Sequence, residues 1–225
     1  MLLSVIVPTF NEAEILPGLL AHLRATATSA VEIIVADGQS KDSTLDAAQF
    51  LADRTVSAQR PRARQMHEGA LAAKGDLFLF LHADTLLPDD WQNILLEAWS
   101  NGHHHSATAF EIGFDAQGWP YRLIEAAARW RRSLTGVPHG DQAIAVSREH
   151  YFEAGGFPEM PLMEEYALVG KLKHLGPVHV LPQQVRTSKR RHEKNGPLLN
   201  GLKNNAIIAC YYLGLPPELL AKIYR

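Results

Sequence analysis

One cysteine, Cys210, stands in 225 residues. A lone thiol forms no internal disulfide, so the chain is not a disulfide-stapled secreted scaffold, and a reducing, cytoplasmic setting is the simplest expectation. Uninterrupted apolar runs are short, well below the roughly 20 residues that a membrane-spanning helix needs. The opening residues, MLLSVIVPTFNE, lack a basic leader and reach Pro8 and Glu12 too soon for a secretory signal. Net charge is almost absent, −2 from 22 basic and 24 acidic residues, which excludes a broadly basic nucleic-acid binder. Also missing are a G-x-G-x-x-G after the first apolar run and a G-x-x-x-x-G-K-[ST] anywhere, so the usual backbone cradles for phosphate are not available.

What is present is an alternation. Leu2 to Val7 is an apolar, β-branched run stopped by Pro8 and reads as a buried strand. Asn11 or Thr9 offers an N-cap to a helix that begins with Glu12 and Glu14 and carries Leu16, Leu19, Leu20 and Leu23 at helical spacing. Val31 to Ala36 is a second strand, Lys41 to Leu51 a helix, Thr55-Val56 a short strand, Ala63 to Ala73 a helix and Leu77 to Leu81 an apolar strand. Strands alternating with helices predict a single α/β domain with a Rossmann-like, mostly parallel sheet. The second half is more varied. Helices are expected over Pro88 to Ser100, Tyr121 to Arg132 and Met163 to Leu175, and strands over His103 to Phe114, Gln142 to Val146 and Val178 to Leu181. Arg186 to Gly196 is basic and turn-rich. Asn200 to Arg225 reads as one or two helices broken at Pro216-Pro217. The chain divides into a regular first part over 1–100, a more varied second part over 101–195 and a helical tail over 196–225.

In an open parallel sheet, ligands sit beyond the carboxyl ends of the strands. Three polar elements fall there: Pro8-Thr9-Phe10-Asn11-Glu12, Asp37-Gly38-Gln39-Ser40 and His82-Ala83-Asp84. A carboxylate accepts from a base N–H or a ribose hydroxyl, and a divalent cation bridges carboxylate to diphosphate. With no phosphate cradle, a metal held by Asp84 is the economical way to neutralise a diphosphate. Each element also has a plainer reading: Asn11 and Glu12 as helix caps, Asp37 as a turn residue, Glu164 and Glu165 as a solvated helix start. His103-His104-His105 cannot converge on one ion if strand-like, because neighbours point to opposite faces. Arg129, Arg131 and Arg132 suit either an anionic acceptor or a solvated helix face. Trp91, Trp99, Trp119 and Trp130 read as packing residues, and Cys210 as an inert core thiol.

SVIVPTFNE, IIVADGQSKDST and RARQMHEGALAAKGDLFLFLHADTLLP, in that order, resemble the family 2 glycosyltransferases, and GDQAIAVSREHYFEAGGFPEMPLMEE and LGLPPELLAKIYR extend the match. The combination is most similar to a small bacterial subgroup associated with radical-SAM/selenodomain proteins. The resemblance implies a GT-A fold, a nucleotide-sugar donor (UDP- or GDP-linked), a hydroxyl acceptor that is lipid-linked or a small molecule, and Mn²⁺ or Mg²⁺. By position it implies that Pro8, Thr9, Asn11, Glu12, Asp37, Arg64 and Ala83 meet the nucleotide. Asp84 would bind metal, with His82 standing where the family has the first acid of its D-x-D-like element, as a ligand or hydrogen-bond partner. Glu165 would be the catalytic base of an inverting reaction, with Glu164 or Asp141 as alternatives. Arg190, Arg191 or His192 would close on the diphosphate, or His192 would instead be a further metal ligand. Peripheral membrane contact and a homodimer stay open through the apolar stretch Ile207 to Leu215. The rival readings are a sugar nucleotidyltransferase and a weakly catalytic sugar-nucleotide-binding protein.

Overall fold

The structure is a computed structural model that describes residues 1–100, 105–116, 118–188 and 196–224. Eight strands, in spatial order β3-β2-β1-β4-β7-β6-β8-β5, form one sheet. They are β1 Leu3–Thr9, β2 Val31–Asp37, β3 Arg54–Ser57, β4 Leu77–Phe80, β5 Thr85–Leu86, β6 Ala107–Phe114, β7 Ile144–Ser147 and β8 Val178–Thr187. The β3-β2-β1-β4 half is parallel, as the alternation predicts. The other half is mixed: β7 runs antiparallel to both β4 and β6, β6 and β8 are parallel, and β5 is antiparallel to β8.

The helices are α1 Leu16–Thr26, α2 Thr44–Ala48, α3 Arg62–Ala72, α4 Trp91–Ser100, α5 Trp119–Thr135, α6 Arg148–Glu153, α7 Glu164–Leu172, α8 Pro197–Tyr212 and α9 Pro217–Tyr224. They cover both faces because each buried strand has two apolar sides. In β1, Leu3, Val5 and Val7 pack with Leu16, Leu20, Trp91 and Leu95 on one face, while Ile6 points into a second cluster with Met66, Phe78, Phe80 and Tyr151. Among the described residues no helix is long and apolar enough to cross a membrane.

Several boundaries differ from expectation for identifiable reasons. β1 continues through Pro8 to Thr9. On one flank β4 pairs only as far as Ile6, so the missing N–H of Pro8 falls where half the ladder has ended. Asn11 does not cap α1, which starts at Leu16. Asn11 adopts φ 56° and its Oδ1 accepts from the Lys41 N–H. The helix expected over Lys41 to Leu51 shortens to α2. β8 runs six residues past Leu181, because a register shift between Phe110 and Glu111 leaves Pro182 and Gln183 outside the pairing.

Gly69 sets how closely α3 approaches the sheet. A Cβ there would lie 2.5 Å from Ile6 Cγ2. Gly69→Ala is expected to destabilise by about 1–3 kcal/mol through overpacking. A melting curve should show this as a Tm loss of roughly 2–4 °C per kcal/mol.

Candidate functional site

The carboxyl ends of β1 and β4 open on one cleft of about 790 Å³. Pro8, Thr9, Glu12, His82, Ala83 and Asp84 line it. Its mouth is stitched by local bonds between two loops. Asn11 N–H donates to Ser40 Oγ at 2.8 Å, and Glu12 N–H donates to Thr44 Oγ1 at 2.9 Å. Asp37 stands behind this wall, almost fully buried. It accepts from Thr9 Oγ1 at 3.1 Å and from the Ser40 N–H at 2.8 Å and hydroxyl at 2.5 Å. Asn11 and Asp37 therefore shape the rim and are not among the residues lining the cleft. Arg64 also lies off the cleft, bonded to Gln59 and 3.5 Å from Glu159. The arginines that do line it are Arg60, whose guanidinium sits 4.2 Å over the Phe10 ring, and Arg62.

A smaller cavity of about 310 Å³ adjoins the cleft, and Arg62, Asp84, Pro161, Leu162 and Tyr224 line both. Around this junction lies a chain of charges. Arg62 donates from Nε to Glu164 Oε1 and from a terminal nitrogen to Glu165 Oε1, each at 2.8 Å. His82 faces Asp141 Oδ1 at 2.7 Å through Nδ1 and Glu165 Oε1 at 3.6 Å through Nε2. All three candidate bases are therefore in one cluster. Glu164 and Glu165 begin α7, and a Cβ on Gly140 would overlap the Glu165 carboxylate, so position 140 has room only for hydrogen.

The protonation states follow from this geometry. Burial pushes the Glu165 carboxyl up, but Arg62 and then His82 outweigh it and hold it at about 2. Burial and Arg62 pull the His82 imidazole down, yet its bonds to Asp141 and Glu165 raise it to about 9. Burial first, and then Glu165, push Glu164 up, against the pull of Arg62. Glu164 Oε2 is buried without a partner.

These states bear on metal binding. While both ring nitrogens are protonated and turned to Asp141 and Glu165, His82 has no lone pair to give a metal. Asp84 is different: it lines both cavities, and among the described residues its carboxylate makes no side-chain hydrogen bond or ion pair. No group of three or more His, Cys, Asp or Glu side chains among the described residues is arranged to hold a metal. The donor set thus fits a hard divalent ion that takes one protein carboxylate and completes its shell with phosphate oxygens and water. Arg190, Arg191 and His192 lie outside the described residues.

Sequence reading missed Arg60, Arg62, Gln65 and Tyr224 as cleft residues. The available signal was the pair of arginines flanking Pro61 at the start of α3, where side chains project back toward the strand ends. Trp119 and Trp130, expected to pack, are exposed, whereas Trp91 is fully buried.

The pattern described as "Glycosyl transferase family 2" matches residues 4–156. An uncharacterized glycosyltransferase of Haemophilus influenzae is 27% identical over 182 residues, covering 76% of this chain and 62% of that one. An undecaprenyl-phosphate 4-deoxy-4-formamido-L-arabinose transferase of Pseudomonas paraeruginosa is 31% identical over 153 residues, 62% of this chain and 44% of that one. The chain thus spans less than two thirds of either relative's length. Among solved structures, a mannosyltransferase from Pyrobaculum calidifontis in complex with GDP-Man and Mn²⁺ superposes with a TM-score of 0.67 at 22% identity, covering 99% of this chain and 67% of that one. At that identity the likeness speaks for the fold alone.

The His82 bridge has a pH signature. Its folded pKa, about 9, lies above the unfolded value of 6.5, so its stabilisation is full below pH 6.5 and is lost as pH rises through 9. In metal-free buffer the unfolding free energy should fall across that window by on the order of a few kcal/mol, and the Tm should fall with it. His82→Gln should remove the dependence; an identical slope in the variant would show that the bridge is not its source.

Proposed function

The chain belongs to glycosyl transferase family 2, and on that premise we propose that it moves a sugar from a nucleoside diphosphate donor, UDP- or GDP-linked, to a hydroxyl acceptor with inversion. The observation that carries the reading is the junction of the two cavities at one set of acids. The donor occupies the larger cleft, its nucleotide against Pro8, Thr9, Glu12 and Ala83. Asn11 and Asp37 hold that rim in shape. The acceptor hydroxyl enters the smaller cavity beside Glu164, Glu165 and Asp141. In domain terms, residues 1–100 hold the nucleotide, 101–195 carry the acceptor side, and the tail closes it, with Tyr224 reaching back to the cleft. The lone Cys210 supports a reducing, cytoplasmic setting.

Asp84 would hold Mn²⁺ or Mg²⁺, which supplies positive charge to the departing diphosphate. The Mn²⁺ and GDP-Man of the Pyrobaculum mannosyltransferase support this choice. Glu165 takes the acceptor proton as the new C–O bond forms and the bond to the diphosphate breaks. Held at about 2, Glu165 is fully ionised but weakly basic. Arg62 lines the donor cleft as well, so a diphosphate there competes for it, and each increment of that competition returns basicity to Glu165. Arg190 and Arg191 would add charge at the diphosphate.

Two variants separate the roles. Asp84→Ala should lose metal-dependent binding of UDP or GDP in calorimetry. Glu165→Gln should bind nucleotide normally and lose transfer by about 10²–10⁴-fold. Intact metal-dependent binding by the Asp84 variant would remove the ligand assignment. Release of pyrophosphate from a nucleoside triphosphate and a sugar phosphate would replace transfer with nucleotidyl chemistry.

A further inference from the structure

A soluble helix ordinarily turns its apolar stripe to the core and its charges to water. α5 does the reverse. Trp119, Leu123, Trp130 and Leu134 are spaced by 4, 11 and 15 residues, which places them within about 60° of one another on the helix. All four face solvent, with exposures of 68%, 52%, 68% and 67%. The remaining exposed positions of α5 are Arg122, Ala126, Arg129 and Ser133. The one acid of α5, Glu125, is turned inward, where it accepts from Arg122 at 3.0 Å and from the Phe114 N–H at 3.3 Å.

α8 packs beside it and repeats the arrangement. A Cβ on Gly201 would sit 3.2 Å from Ile124, and Arg131 of α5 donates to Asn205 Oδ1 at 2.8 Å. Leu198, Leu199 and Leu202 of α8 are exposed, and the helix contains no acid. The two helices therefore present a shared apolar surface with arginines and without one exposed carboxylate. Such a surface marks a docking site.

We propose that α5 and α8 seat the protein on the face of an anionic lipid bilayer. Tryptophan and leucine enter the interface, and Arg122 and Arg129 meet lipid phosphates. Charge decides against a second copy of the chain as occupant. A two-fold contact over this face brings the same patch together from both copies, setting Arg129 against arginine, with no exposed acid of the other copy's α5 or α8 to meet it. The orientation has a consequence that rests on the transfer reading. The other side of α8 contributes Asn200, Asn204, Ile207 and Ile208 to the smaller cavity, so that cavity lies one helix diameter, about 10 Å, from the lipid. An acceptor hydroxyl carried by a membrane lipid reaches it without leaving the surface.

The test is co-sedimentation with phosphatidylcholine vesicles made with and without phosphatidylglycerol. The protein should pellet with the anionic vesicles, pellet less as salt rises, and show blue-shifted tryptophan emission on binding. Arg129→Ala should weaken partition by about fivefold, and Trp130→Ser by about tenfold or more. Both variants should keep the parent's Tm and its metal-dependent nucleotide binding, which separates a failure of docking from a failure of the donor site. No association with anionic vesicles would overturn the proposal. So would a dimer, seen in sedimentation velocity, that Trp130→Ser converts to monomer.

Discussion

Arg62 is the residue around which the site is arranged. Two carboxylates begin α7, both almost fully buried, and one guanidinium satisfies an oxygen of each. An acidic pair withdrawn from water is tolerated only where a cation and good hydrogen-bond geometry offset the lost hydration. Arg62 supplies both from the first turn of α3, more than 100 positions earlier in the chain. The parallel half of the sheet and the mixed half are thus joined electrostatically as well as by the β4-β7 ladder. His82 extends the same logic. Set between Asp141 and Glu165, it joins both acids to the same chain of charges.

The first four strands were legible because buried strands read as short apolar runs bounded by turn residues. At the carboxyl ends of β1 and β4, Pro8, Thr9, Glu12, Ala83 and Asp84 line the cleft. Local signals misled where tertiary bonds took over. Asn11 has the chemistry of a cap, yet its side chain is used by the neighbouring loop at Lys41. Pro182 looks like a strand end, yet a bulge absorbs it. Arg64 and Arg62 are two residues apart on a helix and so point to different sides. Only the fold tells which one meets the acids. The outward apolar stripe of α5 is equally invisible in a helical wheel, because amphipathicity reports that a helix has two faces and not which one is turned to the core.

The second half of the chain does two things at once. The inward faces of α7 and α8 complete the smaller cavity with Tyr166, Asn200 and Asn204, while the outward faces of α5 and α8 remain apolar.

Gly140 and Glu165 carry a last implication, for how such sites diverge. The carboxylate of Glu165 fills the space that a Cβ at position 140 would need, so the two positions share one volume. Any side chain at position 140 therefore requires residue 165 to move or shorten.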